Sequence, residues 1–158
     1  MKNFLKLVIS IGVSLSAGFI GSFFTASAIE NWYSFLEKPL LNPPNWIFAP
    51  VWTLLYILMG VAAFLVWKKS GQKAGIGKAL VFFGVQLVFN SAWSIIFFGL
   101  QNPFWALLEI LVLWILILFT IILFYRVSKS AAFLLIPYIL WVSFAIYLNY
   151  SIWVLNYL

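Results

Sequence analysis

The sequence predicts an all-α fold, an integral membrane bundle of five transmembrane helices in a single domain spanning residues 1–158. Three observations carry that reading. The chain is 66% hydrophobic and only 8% charged, with a mean hydropathy of +1.12. A soluble domain needs more polar cover than this, whereas a lipid-facing helix needs none. Apolar stretches long enough to cross the hydrocarbon, at roughly 20 residues each, occur five times. Eight of the nine basic residues cluster at three points: Lys2 and Lys6, then Lys68, Lys69, Lys73 and Lys78, then Arg126 and Lys129.

The first span is expected at about 4–26. Ala26-Ser27-Ala28 behind a basic, apolar start resembles a signal-peptide cleavage site. The apolar run Leu7–Ala26 has 20 residues, against about 7–15 for a signal h-region, so the segment reads as a retained helix. Its Ala17-xxx-Gly21 and Gly18-xxx-Ser22 pairs allow close approach of another helix, a second subunit or a ligand, and the first is favoured.

An outer loop at 27–45 follows, in which Pro39, Pro43 and Pro44 restrict the backbone. Trp32, Tyr33, Phe35 and Trp46 give it apolar mass. Two readings are open for Trp32 and Trp46: a lid folded over the bundle, or a belt of aromatics at headgroup level.

The remaining spans are expected at 46–67, 78–99, 104–126 and 131–155. Gly99, Asn102 and Pro103 supply the turn that divides an otherwise over-long apolar run. Val127-Ser128-Lys129 separates the last two spans. With five crossings, all three basic points share one side and Lys38 stands alone on the other. Short loops with that bias stay cytoplasmic. The expected arrangement therefore has the N-terminus cytoplasmic and the C-terminus and 27–45 loop outside. Basic residues that flank spans, rather than form a stripe, speak against a nucleic-acid partner.

Conventional catalysis has little to work with. The absence of His and Cys removes the usual zinc sites, a Ser–His dyad and His or Cys haem ligation. There is no Gly-rich phosphate loop and no converging pair of carboxylates, so no metal is expected. What remains is indole and phenol rings, which stack on flat apolar ligands.

Three tryptophans lie deeper than an interface belt requires. Trp52 is six residues past Trp46, about 9 Å further along a helix. Trp93 lies six residues before the outer end of the third span, and Trp141 near the middle of the fifth. Trp67, Trp105 and Trp153 fit a belt. Trp114 has no evident polar neighbour and reads as packed or lipid-facing. Asn90 shares one helical face with Gln86, Trp93 and Phe97. A lone amide in hydrocarbon is costly, so Asn90 is either interhelical glue or a group that orients a ligand. In the fifth span Pro137, Trp141, Ala145 and Asn149 repeat every four residues. Pro137 can kink the helix and Ala145 leaves space beside an indole. Asn149 and Asn156 read as helix contacts or solvated groups, and Glu109 as a carboxylate that reaches interfacial water.

Several runs together resemble the translocator protein family, whose bacterial members are the tryptophan-rich sensory proteins (TspO/MBR). They are Trp32-Tyr33…Lys38-Pro39…Pro43-Pro44-Asn45-Trp46-Ile47-Phe48-Ala49-Pro50-Val51-Trp52-Thr53-Leu54-Leu55-Tyr56…Met59-Gly60, Gln86-Leu87…Asn90…Trp93…Phe97-Phe98-Gly99, and Leu135-Ile136-Pro137-Tyr138…Trp141…Phe144-Ala145…Leu148-Asn149. The resemblance covers nearly the whole chain and, being to the bacterial members, implies a bacterial cell membrane as the location. It implies a five-helix bundle, usually dimeric, with a pocket under the first outer loop. It further implies a receptor that binds porphyrins such as protoporphyrin IX and other flat hydrophobic ligands, including sterols and benzodiazepine-receptor-type drugs. The family's pocket positions match Tyr33, Trp52, Asn90, Trp93, Trp141 and Ala145. Bacterial relatives are implicated in light-dependent porphyrin breakdown, with Trp52 and Trp141 at the candidate positions. On this reading no cofactor is required and porphyrin is a ligand. The partners are porphyrin and hydrophobic small molecules, the bilayer and a second copy of the chain.

The alternative is a transporter of porphyrin or sterol-like molecules. It ranks lower because the spans show neither an inverted repeat nor a pair of broken helices. Two departures from the family pattern stand out. No Lys or Arg follows Tyr150, so the cholesterol motif of animal members is incomplete, and Gly84 lacks a second glycine to form a Gly-xxx-Gly dimer contact in the third span.

Overall fold

Backbone in hydrocarbon has no water to bond with, so each apolar stretch must close its own hydrogen bonds as a helix. The computed structural model describes residues 2–72 and 74–158; Lys73, counted above in the second basic cluster, lies outside the described residues. The helices are α1 (Lys2–Asn31), α2 (Asn45–Trp67), α3 (Ile76–Ser94), α4 (Pro103–Val127), α5 (Lys129–Leu134) and α6 (Ile136–Tyr157), with a short 3-10 turn at Tyr33–Phe35 and a π-helical turn at Ile95–Gly99. No strand occurs among the described residues. Five segments are long and apolar enough to cross a membrane: α1, α2, α3 with its π turn, α4, and α5 with α6. The protein is an all-helical integral membrane protein.

The first helix runs further than its expected end at residue 26. Nothing between Ala26 and Asn31 breaks a helix: there is no Pro or Gly, and Asn31 Nδ2 bonds back to the Ser27 carbonyl at 3.0 Å. The Ala-Ser-Ala tract therefore lies inside α1, and the loop begins at Trp32 rather than at residue 27.

Large apolar side chains face outward, as the bilayer requires; Phe19 and Phe23 are 74% and 76% exposed. Inside, Ala62, Ala63, Ala79, Ala106, Ala131 and Ala132 are almost fully buried, which lets the helix backbones approach closely. At Gly60 the approach is close enough that a Cβ would come within 2.5 Å of the Ile11 backbone. On α1, Ala17 and Gly21 face α3: Ser91 Oγ donates to the Ala17 carbonyl at 3.0 Å, and a Cβ on Gly21 would meet Ser94. Gly18 lies against the Tyr56 ring, while Ser22 stays exposed. The two small-residue pairs thus serve different surfaces.

The last span is broken at Leu135. Pro137 has no N–H to give to the Phe133 carbonyl, and the Leu135 N–H instead closes a tight turn on Ala132 at 3.0 Å. α2 packs on α5 and scarcely touches α6. The break therefore steers α6 away from α2 and opens space between them toward the outer-loop end.

At the opposite end the basic residues converge. Lys6 Nζ bonds the Trp67 carbonyl at 3.3 Å and Lys69 Nζ bonds the Val127 carbonyl at 3.1 Å. These bonds bring the N-terminus, the loop after α2 and the turn after α4 to one end of the bundle.

Candidate ligand-binding site

The space left by α6 is a cavity of about 460 Å³, within the roughly 300–1,000 Å³ usual for small-molecule sites. Tyr33, Trp52, Trp93, Trp141 and Ala145 line it, and Asn90 does not. No charged side chain is among the lining residues. Phe19, Ser22 and Ala26 of α1, and Ala49 and Thr53 of α2, both line the cavity and remain exposed. The cavity therefore opens sideways between α1 and α2.

Each aromatic wall is set by its own element. Trp52, in the second turn of α2, stacks on Tyr56 at 5.6 Å between ring centroids and meets Tyr138 edge-on at 6.2 Å. Trp93 stacks on Phe97 at 5.1 Å, and its Nε1 donates to Asn149 Oδ1 at 3.0 Å. Asn149 is itself fixed, since its Nδ2 donates to the Pro103 carbonyl at 2.8 Å. Trp141 meets Phe48 edge-on at 6.2 Å. The π turn does a further job. An α-helix turns about 100° per residue, which would splay Phe97 and Phe98 apart. The wider turn, closed by Leu100 N–H on the Ile95 carbonyl at 2.8 Å, lets both rings line the cavity beneath Tyr33. Such turns tend to mark functional sites.

Beneath the cavity lies a buried polar chain. The Tyr56 hydroxyl donates to Asn90 Oδ1. Asn90 Nδ2 donates to the Tyr138 hydroxyl at 3.0 Å, and that hydroxyl donates to Gln86 Oε1 at 2.8 Å. Gln86 Nε2 contacts Met59 Sδ at 3.8 Å. Each donor atom in the series has at least one partner, and the series ties α2, α3 and α6 together. Asn90 thus bridges α2, α3 and α6 under the cavity floor.

The outer loop covers the cavity. Tyr33 is buried, and its hydroxyl donates to Asn42 Oδ1 at 2.9 Å. Burial pushes the Tyr33 phenol above its ordinary value, with the Asn42 bond acting in the opposite sense. Lys38 Nζ sits 4.8 Å from the Tyr33 ring centroid and donates to the Leu36 carbonyl at 2.9 Å. Partial burial lowers the Lys38 ammonium. Trp32 packs edge-on against Phe97 at 5.6 Å, so it belongs to the lid, whereas Trp46 is 73% exposed.

Three polar residues depart from their expected surroundings. Asn156 accepts from the Glu37 N–H at 2.8 Å and donates to the Glu37 carbonyl at 2.9 Å, clamping the lid to the end of α6. Trp114 has a polar partner after all, Ser143 Oγ at 2.8 Å on α6. Glu109 does not reach water: both carboxylate oxygens are covered and have no hydrogen-bond partner. Lone polar letters in apolar runs are the only signal the sequence offers for such partnerships.

The comparisons with known proteins agree with one another. The profile of the TspO/MBR family matches residues 10–154. A tryptophan-rich protein TspO of Chlorobaculum tepidum is 47% identical over 98% of both chains. Its namesake in Archaeoglobus fulgidus is also 47% identical, over 98% of this chain and 99% of its own. The human translocator protein is 41% identical over 85% of this chain and 80% of its own.

Proposed function

The chain belongs to the TspO/MBR family of membrane proteins, and from that premise we propose that it is a membrane receptor for flat apolar ligands of the porphyrin class. The cavity wall carries the reading: Tyr33, Trp52, Trp93 and Trp141 reach one uncharged space from four separate elements. An extended π-system gains about 0.5–1.5 kcal/mol per aromatic pair beyond the area it buries. Four or more such rings around one slot favour a large planar ligand over a compact one. Benzodiazepine-receptor-type drugs, also flat and apolar, suit the same walls. The opening between α1 and α2 admits a ligand already dissolved in lipid. With the basic end cytoplasmic, the lid faces outside and the ligand arrives through the outer leaflet. The receptor works as a homodimer in this proposal.

Protoporphyrin IX titrated against intrinsic tryptophan fluorescence tests the reading. Ala145→Phe fills the cavity beside Trp141 and should weaken binding at least tenfold. Wild-type affinity in a folded Ala145→Phe variant would reject this cavity as the site.

A further inference from the structure

A second concavity, about 400 Å³, lies on the outward face of the π turn and α4, apart from the lidded cavity. Ile96, Leu108 and Val112 give it aliphatic walls; Trp105 and Asn102 stand at its outer end, and Glu109 is part of its wall. Trp105 is 59% exposed, and Leu108 and Val112 are exposed as well, so the groove faces the lipid. Glu109 is six residues beyond Pro103, the first residue of α4, about 9 Å along the helix. Its two oxygens are covered by the protein and meet no donor.

An unpartnered carboxylate at this depth is costly in either protonation state. Ionised, it lacks a counter-charge; protonated, its hydroxyl lacks an acceptor. Acids within membrane spans tend to mark functional sites with a partner. No side chain of this chain fills that role among the described residues. A metal ion does not fit, because no group of three His, Cys, Asp or Glu side chains gathers among the described residues. One carboxylate, one exposed indole and aliphatic walls suit a different visitor. An alkyl ammonium pairs with the carboxylate, lies against the indole face as cations do, and rests its tail on Ile96, Leu108 and Val112.

We propose that this groove is a site for lipid-soluble primary amines, in which Glu109 turns its carboxylate onto the ammonium and the alkyl chain lies along α4. The site is independent of the porphyrin reading, since none of its residues lines the lidded cavity.

Dicyclohexylcarbodiimide, which attacks carboxyl groups in apolar surroundings, tests this on the full chain in lipid nanodiscs, with peptide mass spectrometry to locate the adduct. Glu109 should be labelled as the N-acylurea, and dodecylamine should cut that adduct at least fivefold, by exclusion or by capture of the activated carboxyl as the dodecylamide with release of dicyclohexylurea, while dodecanol leaves it unchanged. Glu30 and Glu37, both exposed, serve as the selectivity control and should stay unlabelled. No labelling of Glu109 without amine would show the carboxylate unreachable from the groove and overturn the proposal. Equal protection by dodecanol, or none by dodecylamine, would overturn it too. Glu109→Gln should bind dodecylamine at least tenfold more weakly by native mass spectrometry, and undiminished binding counts against the site. Should that variant not fold, the protection assay on the unaltered protein decides alone.

Discussion

Trp93 of α3 and Asn149 of α6 are joined by a 3.0 Å hydrogen bond from indole to side-chain carbonyl. Asn149 holds the Pro103 carbonyl of α4 with its remaining donor group. One amide therefore fixes an aromatic wall of the cavity and three helices at once. Removing it leaves a half-buried indole N–H without its acceptor, a loss of about 1 kcal/mol. Asn149→Leu should lower the detergent melting temperature and weaken protoporphyrin IX binding together. In a double-mutant cycle with Trp93→Phe, the coupling should be near the ~0.6 kcal/mol average for interhelical hydrogen bonds in membranes. Strictly additive effects would contradict the role given to this bond.

The clamp between Asn156 and Glu37 predicts a kinetic effect. Asn156→Ala removes two hydrogen bonds that hold the lid to α6. At about 0.5–1.5 kcal/mol each, and at an exposed site, their joint loss should speed protoporphyrin IX dissociation roughly fivefold. Thermal stability should change little, because the bundle core is untouched. Stopped-flow recovery of fluorescence after dilution measures the rate, and an unchanged rate would show that the lid does not gate the cavity.

For Asn90 the two sequence readings make opposite predictions. As glue, Asn90→Ala takes the acceptor from the Tyr56 hydroxyl and one of two partners from the Tyr138 hydroxyl, which keeps Gln86, and costs about 1–3 kcal/mol of stability. Because Asn90 does not line the cavity, protoporphyrin IX affinity should stay within threefold of wild type. A large loss of affinity with little loss of stability would restore it as a ligand-orienting group.

The bundle was legible because the bilayer imposes simple rules. Span length, apolar content and basic flanks were enough for five crossings, and the depth of Trp52, Trp93 and Trp141 marked the cavity wall. What the sequence hid was pairing between distant letters. Asn90 and Gln86 were visible as one polar face, but Tyr56 and Tyr138, 34 and 48 residues from Asn90, were not visible as its partners. Asn156 gave no hint of a contact 119 residues away. The π turn was equally hidden, because Ile95–Gly99 contains no residue that dictates a wider turn. The end of α1 was hidden too, because hydrophobicity falls off after Ala26 while polar Glu30 and Asn31 extend the helix without breaking it.

Light supplies the last prediction. Trp52 and Trp141 both line the cavity, and their indole rings are oxidisable. If they take part in its breakdown, illumination in air should bleach porphyrin absorbance more slowly in Trp52→Phe and Trp141→Phe than in wild type, at equal occupancy. Phenylalanine keeps the ring face but is much harder to oxidise, so binding and chemistry separate. Mass spectrometry of the irradiated wild type should then find oxygen added to these indoles rather than to the exposed Trp46. Bleaching at the wild-type rate in both variants would leave the cavity as a binding site with no chemistry of its own.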